Sequence, residues 1–320
     1  MARLVRISAI SLYLPSRIVT VEENLARAYA AVRRALSEKP DFILLPEFFA
    51  TLGTDPATYA QTVAACAERW VEINAPFQEM AREANCYVIP CGPLREGNVI
   101  RNAATLIGPD GEVIGHYFKT HLAPGEGGSG IQAGDEYPVF ETDRGRVAMM
   151  ICMDIHYPEV ARIYALRGAE ILFWPTMAWG PTDRFLTVLL AARAMDNQIY
   201  CVHANFAGLP HLPGKPRGRA CIVGPDGETR ADTGHRPGIA TATVDLDEGY
   251  EYWVKGELKR QLPTLKECLL GLRRPKTYGD LVREDIPWSR WQVRSPVLVD
   301  PGDGAEEGPA PDYLLSLGHG

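Results

Sequence analysis

Apolar positions along the chain follow two alternating rhythms, a helical repeat of about 3.6 residues and short unbroken runs, which predicts helices and buried strands in turn. Leu25, Tyr29, Val32 and Leu36 recur at helical spacing behind Thr20 and Glu23. Those two residues stand where a threonine and a glutamate can each bond the other's backbone N–H, so a helix is predicted to start there. The run Asp41-Phe-Ile-Leu-Leu-Pro46 is apolar without alternation, as in a strand covered on both faces, and it ends at Glu47. Helical patterning covers roughly residues 56–85, followed by strand-like segments 87–91, 103–107 and 113–118. The last two flank Gly108-Pro-Asp-Gly111, a turn whose Gly and Asp tolerate the positive φ of a tight hairpin.

The second half repeats this grammar. Residues 147–151 form an apolar strand ending at Cys152, and residues 158–166 form a helix with Pro158 in its first turn and Gly168 after its end. A buried strand at 171–174, a helix at about 183–196 and a strand at 199–203 follow. A second hairpin, Ala220-Cys-Ile-Val-Gly-Pro-Asp-Gly227, carries the same turn as the first. Strands alternating with helices in two similar halves predict an internally duplicated α/β sandwich. Beyond Leu246 the pattern loosens, and residues from Pro301 on read as an arm or a disordered end.

Composition narrows the function. At 320 residues, 46% hydrophobic and 23% charged, the chain resembles an average soluble globular protein, here expected to be cytoplasmic. A net charge of -7 and the lack of a dense Lys/Arg cluster argue against a nucleic-acid partner. No apolar stretch reaches the roughly 20 residues that span a bilayer, so no membrane role is expected. The apolar start, Met1 to Leu14, reads better as a first strand than as a secretion signal. The seven cysteines form an odd set without a C-x-x-C pair, which argues against a disulfide framework and a zinc site. Cys86 and Cys91, in an apolar segment, read as buried thiols rather than metal ligands.

Three reactive groups stand at the ends of apolar strands: Glu47, Lys119 and Cys152. Strand ends of an α/β sheet converge on one crevice, so groups distant in sequence can meet there. A free thiol is mostly protonated at neutral pH and needs a base to become a nucleophile. Glu47 can take that proton, and Lys119 can stabilise the thiolate and a developing oxyanion.

Leu44-Leu-Pro-Glu-Phe-Phe49, Phe118-Lys-Thr-His-Leu122 and Ile151-Cys-Met-Asp-Ile-His-Tyr-Pro-Glu159 resemble, in order, the three signature segments of the nitrilase superfamily of carbon-nitrogen hydrolases. The resemblance covers residues 1–283 and leaves 284–320 as a C-terminal extension, either an oligomerisation arm or a partly disordered tail. It implies a four-layer αββα sandwich, a homodimer or higher homo-oligomer joined across helices, and no metal or organic cofactor. It also implies a Glu-Lys-Cys triad of Glu47 as general base, Lys119 as oxyanion stabiliser and Cys152 as nucleophile. Glu126 matches the second glutamate of the family, with Glu136 close by, and the backbone N–H of Met153 would be the other oxyanion donor. Asp154 and Glu159 read as structural. His121 and His156 stand between pocket and packing, and Tyr157, Trp174, Met177 and Trp179 between pocket wall and core.

The Cys-x-Asp-x-x-x-Pro-Glu context resembles the amidase and N-carbamoyl amidohydrolase branches rather than the nitrilases. Where carbamoyl-amino-acid hydrolases often carry an arginine that clamps a carboxylate, this chain has Ile155 and His156, with Arg184 and Arg217 as distant substitutes. The expected substrate is therefore a small linear amide or N-carbamoyl amine, cleaved through a thioester with release of ammonia. The alternatives are an N-carbamoyl amino acid amidohydrolase, a nitrilase, an acyltransferase, or a non-catalytic interaction protein on the same scaffold.

Overall fold

The structure, a computed structural model, describes residues 2–13, 17–178, 183–207, 218–249, 257–262 and 264–283. Thr20 caps α1 (Val21–Ala35) as the spacing predicted: its Oγ1 accepts from Glu23 N at 3.1 Å, and the Glu23 carboxylate accepts from Thr20 N at 2.9 Å. Ahead of it lies β1 (Leu4–Tyr13), and after it β2 (Phe42–Glu47), buried at every position. The helical stretch after β2 breaks at Arg69 into α2 (Tyr59–Glu68) and α3 (Trp70–Ala84).

β3 (Tyr87–Glu96), β4 (Val99–Ile107) and β5 (Val113–Phe118) form an antiparallel meander. β3 and β4 are longer than their apolar runs, because both continue into a polar hairpin around Gly97 that burial patterning does not mark. The second half contains β6 (Val139–Thr142), β7 (Gly145–Met149), α4 (Pro158–Leu166), β8 (Ile171–Pro175), α5 (Asp183–Asn197) and β9 (Tyr200–Ala207). The short β10 (Cys221–Val223) and β11 (Thr229–Asp232) and the longer β12 (Gly238–Asp245) complete it. β7 stops at Met149, short of the predicted end, because the chain is already turning toward Cys152. β6 and β12 were not expected from the sequence, and β12 pairs antiparallel with β1 along Leu4–Ser11.

The strand order β5-β4-β3-β2-β1-β9-β8-β7-β6 is nearly symmetric about a seam where β1 and β9 bond each other only through Ser11–Tyr13 and Asn205–Ala207. In a flat sheet β2 and β8 would stand about 14 Å apart, three strand spacings. Yet Phe42 of β2 and Phe173 of β8 have ring centroids 5.3 Å apart, so the halves fold face to face about the seam. On the other face of β2, Ile43 and Leu45 pack with Ala28 and Val32 of α1 and with Phe77 and Met80 of α3. In the second half α4 packs on α5, and α5 packs on β9. The layers therefore run helix, sheet, sheet, helix, the α/β sandwich that the repeat predicted.

Both Gly-Pro-Asp-Gly turns adopt one geometry. Gly111 and Gly227 have φ of +80° and +83°, and Asp110 and Asp226 each accept from the N–H two residues on at 3.0 Å. The described residues fall into two compact units, one reaching Glu248 and one beginning at Gly249. In the second unit α6 (Glu257–Gln261) is followed by α7 (Leu265–Gly271), capped by Thr264, with Cys268 buried and Leu269 exposed. Trp253 and the extension 284–320 lie outside the described residues. Among the described residues no helix is long and apolar enough to cross a membrane.

Candidate active site

Glu47 closes β2 and is buried, and the turn after it leaves Phe48 at φ +53° with its N–H on Cys91 O at 3.0 Å. Lys119 directly follows β5 and is fully buried, its own N–H donating to Asn102 O of β4 at 2.9 Å. Its ammonium donates to Glu47 Oε1 at 2.9 Å and to Glu126 Oε2 at 2.6 Å. Asn102 Nδ2 donates to the same two carboxylates, to Glu47 Oε1 at 2.7 Å and Glu126 Oε1 at 2.9 Å. Met177 N donates to Glu47 Oε2 at 2.8 Å, and Ala123 N to Glu126 Oε2 at 2.6 Å.

A buried charge is tolerable only when paired and hydrogen-bonded, and each ion of this cluster has at least two partners. Burial raises the Glu47 pKa above the usual carboxylate value, although Lys119 opposes the shift. For Lys119 burial works the other way and favours the neutral amine. The Glu47 and Glu126 carboxylates bonded to it outweigh burial and hold the ammonium. Of the two glutamates near this stretch of sequence, Glu126 is the one bonded to Lys119 and Asn102.

Cys152 lies three residues beyond the end of β7, at the start of a 3-10 segment, Cys152–His156, with φ +43°. All seven cysteines are free and the other six are buried, whereas Cys152 keeps partial access. Its thiol is enclosed enough that burial, helped by the Glu47 charge and opposed by Lys119, pushes its pKa up to about 12. The resting thiol is therefore protonated and lies within electrostatic reach of a carboxylate whose proton affinity is itself raised. That is the arrangement a thiol needs when it gives up its proton only as it attacks.

The turn carrying Cys152 is fixed through its backbone. Asp154, fully buried, accepts from Ile151 N at 2.8 Å, from His121 N at 3.0 Å and from Tyr117 OH at 2.6 Å, tying the cysteine segment to the segment after Lys119. Trp174 Nε1 donates to Cys152 O at 3.0 Å, and Arg193 donates twice to Ile155 O, at 3.1 and 2.8 Å.

The remaining predicted residues divide. His121 Nδ1 lies 2.9 Å from Asp154 Oδ1 and its ring stacks on exposed Tyr157 at 3.7 Å, so both are held near the cysteine turn. His156 is exposed at the end of that turn. Met177 reaches the cluster through its backbone, while its side chain packs against an apolar group that includes Phe48 and Ile131. Trp179, the Arg184 side chain and Arg217 lie outside the described residues. Sequence reading missed Asn102, whose one signal was an amide inside the apolar run of β4. Among the described residues no group of three or more His, Cys, Asp or Glu side chains is arranged to hold a metal ion.

The profile of the family described as carbon-nitrogen hydrolase matches residues 8–252. The chain belongs to that family. Among curated relatives of this carbon-nitrogen hydrolase, a deaminated glutathione amidase of Synechocystis is 30% identical over 257 residues, 76% of this chain and 92% of the relative. An omega-amidase of Bos taurus is 30% identical over 259 residues, 77% of this chain and 89% of the relative. Among solved structures, an amidase from Nesterenkonia sp. superposes with a TM-score of 0.70 at 24% identity, covering 87% of this chain and 96% of that one. A variant of that amidase shows the result of Michael addition of acrylamide at its active-site cysteine. The nitrilase-superfamily resemblance read from the three segments, and its amidase side, are thereby shown.

Proposed function

We propose that this carbon-nitrogen hydrolase cleaves the C–N bond of a small linear amide or N-carbamoyl amine, through a thioester on Cys152, and releases ammonia. The observation that carries the reading is the Lys119 ammonium bonded at once to Glu47 and Glu126, with the Cys152 thiol inside the field of all three. In the proposed reaction Glu47 accepts the thiol proton as Sγ attacks the carbonyl carbon. The Lys119 ammonium and the Met153 N–H face the oxyanion, Glu47 returns the proton to nitrogen, and the C–N bond breaks. Water then gives a proton to Glu47 and attacks the thioester, and the released thiolate takes the proton back. Glu126 holds Lys119 in place, and Tyr157 with His121 borders the entry.

A neutral substrate fits better than an amino-acid derivative, because the two positions after Asp154 offer no guanidinium: Ile155 is buried and His156 is exposed. The test is ammonia release from amides, N-carbamoyl amines, N-carbamoyl amino acids and nitriles by the wild type and by Cys152→Ala. Release from the first two classes, lost on the order of 10⁵-fold or more in the alanine variant, is expected. Turnover of nitriles alone, or product that appears only with an added amine acceptor, would replace this reading with a nitrilase or an acyltransferase.

The same reading includes a homodimer across the outer helices. Val188 and Met195, two turns apart on α5, are exposed apolar side chains, as is Leu166 on α4. Light scattering of the intact chain tests this, and a monomer mass at micromolar concentration would refute it.

A further inference from the structure

The donor that the proposed reaction assigns to Met153 is one end of a peptide unit whose other end, the Cys152 carbonyl, already has a buried partner. Trp174 is the next-to-last residue of β8, beside β7, is fully buried, and sends its indole N–H to Cys152 O at 3.0 Å. The indole cannot swing: strand pairing sets Trp174 opposite His203 of β9, and the two rings stack at 4.3 Å and 22°. His203 is itself buried. The Cys152 backbone, by contrast, sits at φ +43°, a conformation that L side chains adopt only when surrounding contacts hold it.

We propose that Trp174 is a positioning residue that aims and strengthens the Met153 N–H as an oxyanion donor, acting through its hydrogen bond to the Cys152 carbonyl. The proposal rests on the hydrolase reading above. Two physical steps carry it. A peptide group is planar, and in the trans form its C=O and N–H point in opposite directions, so a donor fixed on Cys152 O fixes where Met153 N–H points. A hydrogen bond to the carbonyl also polarises the whole peptide, and hydrogen bonds in such a chain strengthen one another in a low-dielectric interior. The stacked Trp174–His203 pair thus transmits the rigidity of the sheet to a donor on an otherwise strained turn. The effect appears only when negative charge develops on the substrate oxygen, because before that the Met153 N–H has little to stabilise.

This timing provides the test. Acylation of Cys152 by an amide builds an oxyanion, whereas alkylation by iodoacetamide displaces iodide at a saturated carbon and builds none. In the full-length protein, Trp174→Phe keeps an aromatic ring but removes the N–H. Replacement of Trp174 by 3-benzothienylalanine keeps the whole bicyclic shape, and covers the case in which the phenylalanine variant folds poorly. Single-turnover acylation should fall by about tenfold in both variants, a fraction of what loss of an oxyanion donor itself costs. KM should stay within about twofold, and the iodoacetamide rate should not change. Equal loss of both rates would mean that Trp174 only keeps the thiol in place, and no loss of either would mean that it does nothing for the donor; each result overturns the proposal. Failure of the wild type to acylate with any amide, while it still alkylates, would instead remove the hydrolase reading on which the proposal rests.

Discussion

The two halves of the duplicated sandwich contribute to the site in opposite ways. The first half supplies charge: Glu47 from β2, Asn102 from β4, and Lys119 with Glu126 from β5 and the segment after it, all bonded side chain to side chain. The second half supplies the proposed nucleophile, and it fixes Cys152 by backbone contacts, with Asp154 on Ile151 N, Trp174 on Cys152 O and Arg193 on Ile155 O. Buried ions are stable only where their partners are complete, so the charged half has little freedom left. A nucleophile must meet substrate, so its half leaves the cysteine partly accessible on a turn and constrains the peptide instead. Charge is held here by saturation and reactivity by strain.

The most direct way to break this contrast is to remove the proposed base from the saturated half. Glu47→Gln keeps the shape but not the proton affinity, and kcat should fall roughly 10³-fold, within the usual range for a general base. Because burial raises the Glu47 pKa, wild-type kcat/KM should decline on the acid side along a limb that lies above the ordinary carboxylate value of 4.5. That limb should be missing from the profile of the glutamine variant. A wild-type limb at or below 4.5 would show that the carboxylate is not held as the geometry implies.

Asn102 comes next in size. Its amide supplies one donor to each carboxylate, and Asn102→Leu would leave both short of a partner in a buried site. Loss of about 1–3 kcal/mol in urea unfolding is expected. Since the Asn102 hydrogen bond lowers the Glu47 pKa, the acid limb should also move to higher pH. Stability lost without movement of the limb would make Asn102 a structural residue alone.

How far these features could be read from the sequence follows from the range of the interactions. Thr20 with Glu23, the two Gly-Pro-Asp-Gly turns, and Pro158 in the first turn of α4 are local devices, and each stands where the spacing put it. The strand-end positions of Glu47, Lys119 and Cys152 were legible because an ionic or nucleophilic group is conspicuous after an apolar run. Asn102, Trp174 and β12 were not, for one shared reason. Each takes its meaning from a partner far along the chain: Asn102 from Glu47, Trp174 from Cys152 O, and β12 from β1. Within its own segment Trp174 looks like any other core aromatic, and β12, with its small Gly and Ala residues, lacks a strong alternation of bulky side chains.

Stability measured against pH separates the halves by the sign of their response. In the charged half, the raised pKa of Glu47 means that the unfolded chain gives up this proton at lower pH than the folded one. Glu47 therefore favours the fold in acid, and that contribution is lost as pH rises through its folded-state value. In the nucleophile half, burial pushes the pKa of His203 down to about 3 from an ordinary 6.5. Between those values the unfolded chain binds a proton that the folded chain refuses, so the stability contributed by a neutral His203 is present above 6.5 and drains away as pH falls toward 3. Melting temperature should thus decline less steeply from pH 6.5 to pH 4 in His203→Gln than in the wild type, whatever the two proteins' absolute values at pH 7. Parallel slopes would show that the ring stacked under Trp174 does not stay neutral, and that this half is as tolerant of buried charge as the half that carries Lys119.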